Sequence, residues 1–292
     1  MIEELKTFIA VVELKNFTKA AKEISISQPS VSVHIKNLEN YFNTTLIMRS
    51  KEQKNIIITK DGVILYERAK KIINIIEKTK EEFIDSQVRV TGLLKIGASL
   101  TIGEFFLPRF LGEFNKRYPE LALEISIENT SSICEKVSKL QLDVGLVEGL
   151  ITYNTNIKSG IFAKDRLVVA VPKNYFEENG SLENATWISR EPGSGTKQYL
   201  NMFLEKNHIE PKHTIVLGSN YAVKEAVKNR LGVTLISYLV VEKDAAEGEL
   251  EIFELDQEYN RDFTYIMPEG IIYSKALKMF IKELKEYKND YI

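Results

Sequence analysis

Two helical patterns separated by three residues that resist a helix constrain this chain more than any other feature. Residues 16–39 read Asn16-Phe17-Thr18-Lys19-Ala20-Ala21-Lys22-Glu23-Ile24-Ser25-Ile26-Ser27-Gln28-Pro29-Ser30-Val31-Ser32-Val33-His34-Ile35-Lys36-Asn37-Leu38-Glu39. Ala20, Ala21 and Ile24 recur at helical spacing behind Thr18, a good N-cap residue. Ser25-Ile26-Ser27 then breaks the pattern, because serine side chains compete with the helical backbone for hydrogen bonds. Ser27 or Gln28 is expected to cap a second helix with Pro29 at its first position, where a missing N–H costs nothing. Val31, Ile35 and Leu38 give that helix one apolar face. Two short helices joined by a three-residue turn form a helix-turn-helix unit. Its outward residues are Gln28, Ser30, Ser32, Val33 and Lys36. These short hydrogen-bonders, a methyl-bearing side chain and a cation suit base edges and phosphates in a major groove. With Thr18, Ser27 and Pro29 at the helix starts, they are the candidate DNA contacts.

The string closely resembles the N-terminal domain of LysR-type transcriptional regulators. The likeness runs from Phe8 through Asn16-Phe17-Thr18, Ala20-Ala21 and Ser27-Gln28-Pro29-Ser30-Val31-Ser32 to Leu38-Glu39, Leu46, Arg49 and Thr59-x-x-Gly62. Three positions depart from it: Val33 stands where the family often has Arg, Asn43 where it has Gly, and Ile47 where it has Phe. Asn tolerates the left-handed backbone that a Gly would supply, so the turn at Asn43 is expected to survive.

Around this unit the chain is ordered as a head, a linker and a body. Ile2–Leu14 is expected as an amphipathic helix with Leu5, Phe8, Ile9 and Val12 on one face, and Phe42 and Leu46 should continue the core. Arg49 to Asn55 reads as a turn between two short strands, a wing on which Arg49, Lys51 and Lys54 meet phosphates. From Asp61 to about Arg89 one long helix follows. Leu65, Ala69, Ile72, Ile76, Thr79 and Phe83 fall on it at alternating four- and three-residue steps, the seam of a coiled coil. In the family this helix pairs two subunits, so the resemblance implies a homodimer, and a homotetramer beyond it.

Beyond Thr91 the pattern alternates strand and helix, about ten strands in all, which implies parallel sheets flanked by helices. The resemblance makes this an effector domain of two α/β lobes, built like a periplasmic solute-binding protein. It implies that the chain crosses between lobes near Phe162–Asp165 and returns near Tyr265–Pro268, with a last helix over about Tyr273–Tyr287 on the first lobe. The expected fold is thus α+β and multidomain. It has a winged helix-turn-helix over 1–60, a linker helix over 61–90 and an effector domain over 91–292. Lobe I takes about 91–163 and 267–292, lobe II about 164–266.

Ligands of open α/β sheets bind beyond the strands' carboxyl ends, where helix N-termini offer free N–H groups. Two such turns stand out. Gly97-Ala98-Ser99-Leu100-Thr101 offers hydroxyls and amides to an anion. Arg190-Glu191-Pro192-Gly193-Ser194-Gly195-Thr196 forms a tight loop with the features of an oxyanion nest. This segment resembles the version in family members that sense small anionic metabolites, including regulators of sulfur or carbon assimilation. Ser131 and Ser219, at two further strand ends, complete the candidate effector contacts and serve equally as helix caps.

Composition bounds the alternatives. Residues 1–60 carry nine Lys/Arg against six Asp/Glu, while 92–292 carry 24 against 29, which suits nucleic acid at one end only. One cysteine, Cys134, excludes an internal disulfide and a cysteine-based zinc site. No apolar run is long enough to span a bilayer, and Met1–Val12 lacks a signal pattern, so a cytoplasmic protein is expected. The rivals are an α/β-lobed enzyme and a solute-binding protein with an accessory head. An enzyme would need a base, yet the histidines are only His34, His208 and His213, and no nucleophile elbow, metal set or carboxylate pair appears. The expectation is a DNA-binding regulator without cofactor, whose partners are double-stranded DNA, a small anionic metabolite and copies of itself.

Overall fold

The computed structural model describes residues 1–49, 56–84, 90–149 and 157–287, without the side chains of Arg49, Lys78, residues 81–84 and Glu258. Lys51 and Lys54 of the expected wing lie outside the described residues, as do the side chains of Arg49 and Phe83. The described chain divides into two compact units that part between residues 84 and 90, with Ile271–Ser274 grouped with the first.

In the first unit, α1 (Ile2–Leu14) buries Leu5, Phe8 and Val11, with Thr7 and Ala10 beside them. Ile9 and Val12, expected on that face, are only partly buried. Helix α2 (Phe17–Glu23) is capped by Asn16, whose extended backbone lets its Oδ1 accept the Lys19 amide at 2.9 Å. Thr18 is therefore the second residue of the helix and not its cap. Ser25 turns the chain with φ 56°, and Ser27 caps α3 (Gln28–Phe42) by accepting the Ser30 amide at 3.2 Å. Pro29 stands second in that helix and not first, where its missing N–H is equally harmless. Asn43 ends α3 in the left-handed region, φ 50°, as its short polar side chain allows.

Phe42 does not continue the core. It is 42% exposed, because the buried stripe of α3 stops at Leu38 and Leu46 takes the next core position from beyond the turn. Strands β1 (Ile47–Arg49) and β2 (Ile56–Ile58) pair antiparallel, with Ile47 opposite Ile58. Glu39 Oε1 accepts the Leu46 and Ile47 amides at 2.8 and 3.2 Å. Thr59 donates to the Thr45 carbonyl at 2.7 Å and accepts the Gly62 amide at 3.0 Å. A Cβ on Gly62 would lie 2.4 Å from the Leu46 carbonyl oxygen. Glu39, Thr59 and Gly62 therefore lock the ribbon to the start of α4 (Lys60–Ile84). On α4 the expected seam divides. Leu65 and Ala69 are buried in one core with Phe8, Val31 and Leu38, since α4 packs on α1, so neither is free to meet a partner. The exposed apolar stripe is Ile64, Ile72 and Ile75.

The second unit opens with β3 (Gly92–Ala98), a π-helical turn over Ile102–Phe106 and α5 (Leu107–Arg117). The π turn runs straight into α5 and widens just before Pro108, which cannot donate to the turn preceding it. There follow β4 (Leu121–Ile127), α6 (Thr130–Ser138), β5 (Val144–Glu148), β6 (Ile157–Asp165), β7 (Leu167–Pro172), α7 (Tyr175–Asn179) and β8 (Thr186–Arg190). Then come α8 (Gly195–Lys206), β9 (His213–Leu217), α9 (Asn220–Lys228), β10 (Thr234–Ser237), α10 (Tyr238–Ala246), β11 (Leu250–Glu254), β12 (Arg261–Pro268) and α11 (Lys275–Glu286).

One sheet runs β4-β3-β5-β12-β6, parallel across β4, β3 and β5, with β12 antiparallel to both β5 and β6. The other region joins β10-β7-β11, antiparallel throughout, to the parallel pair β8-β9 through a bridge between Trp187 and Val233. The expectation of parallel sheets therefore fails where β12 runs against β5 and β6, and where β10 and β11 both run against β7. Strand β12 pairs with β6 from Arg261 onward, so the chain rejoins the first sheet before Arg261 and not near Tyr265. Helix α11 sets Phe280 edge-on against Phe110 and Phe114 of α5, closing the first lobe.

Candidate functional site

On the first unit, Gln28, Val33 and Lys36 of α3 are exposed, and Ser30 and Ser32 are half-buried. The polar side chains of the first turn satisfy one another. Ser27 and Ser30 hydroxyls lie 2.7 Å apart, and Gln28 Nε2 donates to Ser32 Oγ at 3.2 Å. His34 is tied to α1 through Nδ1, 2.8 Å from Thr7 Oγ1. Thr18 and Pro29 are exposed at their helix starts.

On the second unit, the two ligand turns foreseen from sequence meet at one buried polar centre. Ser99 and Thr101 follow β3, and Ser194 and Thr196 begin α8; all four are buried. Between them stands Arg261, the first residue of β12. Its Nη1 donates to Thr196 Oγ1 at 3.0 Å and its Nη2 to Thr101 Oγ1 at 3.3 Å. Its Nε donates to Asp165 Oδ2 at 2.7 Å, and Ser237 Oγ donates to Asp165 Oδ1 at 2.6 Å. Glu148, at the end of β5, faces Arg261 at 4.0 Å and accepts the Ser99 hydroxyl. Asn220, the first residue of α9, donates to Thr101 Oγ1 at 3.2 Å and accepts from Arg190. Arg190 in turn holds both carboxylate oxygens of Glu191, at 2.9 and 3.0 Å.

The close approach of the two turns has a backbone cause. A Cβ on Gly195 would lie 2.2 Å from the Glu148 carbonyl oxygen, so only glycine lets α8 begin against the end of β5. Thr130 Oγ1 donates to that same carbonyl at 2.9 Å. Gly193 takes φ +92° and its carbonyl accepts the Ser131 amide at 3.1 Å. Ser131 itself is exposed on α6, whose cap is Asn129, and Leu100 is half-buried. Ser219 caps α9 by accepting the Ala222 amide at 3.1 Å. Of the candidate effector contacts, Ser99, Thr101 and Thr196 bond directly within the centre, Ser194 and Gly195 line it, and Ser131, Gly193 and Ser219 hold the surrounding turns.

Burial raises the Glu148 carboxyl above its ordinary value, and the Arg261 guanidinium pulls it partly back. The same two causes act in opposition on Asp165. Buried Arg261 and Arg190 are thus faced by Asp165, Glu148 and Glu191, a centre that can hold an oxyanion only by sharing its cations with its own carboxylates.

Sequence reasoning missed Arg261, Glu148 and Asp165, while Arg190 stood in the second candidate turn and Asn220 beside Ser219. One signal was available for Arg261. Strand alternation puts it on the same face as Phe263 and Tyr265, so a charged residue was bound for the interior.

Residues 2–63 match the family described as bacterial regulatory helix-turn-helix protein, lysR family, and residues 88–289 match the LysR substrate binding domain. The HTH-type transcriptional regulator CysL of Bacillus subtilis is 42% identical over 288 residues, covering 96% of this chain and 95% of that protein. Full-length OxyR from Pseudomonas aeruginosa superposes with a TM-score of 0.74 at 20% identity, over 98% of this chain and 93% of that one. The regulatory domain of Synechocystis CcmR, solved in complex with 2-PG, gives a TM-score of 0.62 at 23% identity, over 68% of this chain and 99% of that one.

Proposed function

This chain belongs to the LysR family of DNA-binding transcriptional regulators, and from that premise we propose that a small anion bound at the Arg261 centre controls its grip on DNA. The observation that carries the reading is the convergence of Thr101 and Thr196 on one buried guanidinium, each from a different lobe. An oxyanion entering there takes donors from both lobes at once, from the Ser99–Leu100–Thr101 turn and from Gly193 to Thr196. Ser131 and Ser219 position the turns around it. Only a ligand that binds one lobe arrangement better than another shifts the protein between forms, and its effect on DNA affinity must be reciprocal. The complex of the CcmR domain with 2-PG supports a small ligand in a domain of this fold.

In this reading the recognition face is Gln28, Ser30, Ser32, Val33 and Lys36, flanked by Thr18, Ser27 and Pro29. Arg49, Lys51 and Lys54 supply phosphate contacts from the wing. The head reaches to about residue 60 and α4 links it to the effector domain. Two copies pair along α4 through the exposed stripe of Ile64, Ile72 and Ile75, with tetramers built from such dimers, and the protein works in the cytoplasm. Like its named relatives it is a regulator and not an enzyme.

A thermal-shift screen of small anions followed by calorimetry tests the site. Thr101→Val and Thr196→Val keep shape and delete one hydroxyl each. Loss of one charge-assisted hydrogen bond, about 1.5–3 kcal/mol, weakens the anion roughly 10- to 150-fold. A variant that binds as the parent does would reduce its turn to a helix cap.

A further inference from the structure

On α3, the polar side chains nearest the start of the helix are engaged with each other: Ser27 with Ser30, and Gln28 with Ser32. Val33 stands apart from them. It is 54% exposed, the highest value of any apolar residue on the helix apart from Tyr41. At 100° per residue it lies about 200° round the helix from buried Val31, on the side opposite the core formed by Val31, Ile35 and Leu38. Its sequence neighbours on that side, Pro29, Lys36 and Asn37, are exposed too. A β-branched side chain gains nothing for an exposed helix, since it loses rotamer freedom there without burying area. What it does offer is two methyl groups fixed in one rotamer at the middle of the face that enters a major groove.

We propose that Val33 reads the 5-methyl group of a thymine in the operator's major groove. Among the four bases only thymine carries a methyl there, and apolar side chains recognise it by contact. This rests on the assignment of α3 as the recognition helix. It makes one base position per half-site methyl-dependent, a discrimination that the paired hydroxyls of Ser27 and Ser30 cannot supply.

The test starts from a random-sequence duplex pool, from which the full-length protein enriches its preferred duplex. Each thymine of that duplex is then replaced singly by deoxyuridine, which deletes only the methyl, and Kd is measured at fixed salt. One thymine per half-site should weaken binding about fourfold when demethylated, the factor expected for one buried methyl group. Placing 5-methylcytosine there should bind about fourfold better than cytosine. In Val33→Ser both ratios should fall to one. Uridine tolerated at every position, or full methyl dependence retained in Val33→Ser, would overturn the proposal and leave the DNA-binding helix in place. Failure to enrich any duplex would instead sink the recognition-helix assignment, and this proposal with it.

Discussion

Replacing Arg261 by Met should be the most damaging single change in the effector domain. Met fills a similar length of buried space, so the dominant loss is charge. Arg261 is fully buried and its Nε lies 2.7 Å from Asp165 Oδ2, with Glu148 at 4.0 Å. Without it Asp165 keeps Ser237 as a side-chain donor, but its countercharge is gone. Removing one partner of a buried ion pair costs about 3–5 kcal/mol. The Thr101 and Thr196 hydroxyls each lose a donor as well, at about 1 kcal/mol apiece. Asp165→Asn in the same chain removes the stranded charge, so the double variant should return to within about 2 kcal/mol of the parent. The coupling energy between the two sites is then at least about 3 kcal/mol, at the top of the range for contacting residues. Urea denaturation at neutral pH reads this directly, because the chain's one tryptophan, Trp187, is buried in the second lobe and its fluorescence follows that lobe. An Arg261→Met protein within 1 kcal/mol of the parent would refute the reasoning. A double variant as unstable as the sum of the two singles would do so too.

Two further outcomes follow from the same structure. Burial raises the Glu148 carboxyl above its ordinary 4.5, so the folded protein holds this proton more tightly than the unfolded chain. That contribution is fully present below pH 4.5 and is lost as pH rises through the raised value, a loss that Glu148→Gln should diminish in denaturation curves taken across that window, leaving the share of Asp165, whose carboxyl burial raises as well; an unchanged pH profile in the variant would exclude Glu148 as a source. On α4, Ile72→Asp places a carboxylate in the middle of the exposed stripe and should shift sedimentation from dimer to monomer at micromolar concentration, since a buried unpaired charge costs several kcal/mol; a parent protein that is itself monomeric would remove the stripe as an interface.

Local chemistry wrote the first unit into the sequence. The cap at Ser27, the left-handed Asn43 and the buried Val31, Ile35 and Leu38 are each decided within a few residues, so spacing and propensity read them correctly. Where a second segment competed for the same role, sequence reading went astray. Asn16 and not Thr18 capped α2, and Leu46 took the core position expected for Phe42. The first two positions of the seam on α4 were lost for a related reason. Its heptad spacing was real, but α1 had already claimed Leu65 and Ala69, and periodicity cannot say which neighbour a stripe will meet.

The effector domain shows the boundary most clearly. The sequence by itself determined that Ser99–Thr101 and Ser194–Thr196 stand at strand ends where helices begin, with hydroxyls on offer, because glycine, proline and serine set backbone conformation locally. Only the tertiary structure decided that they meet, and that they meet on Arg261. That residue lies 65 positions from Thr196 and 160 from Thr101. The antiparallel return of β12 carries it into the centre, and strand order is fixed by pairing between distant segments, which no local pattern of residues encodes.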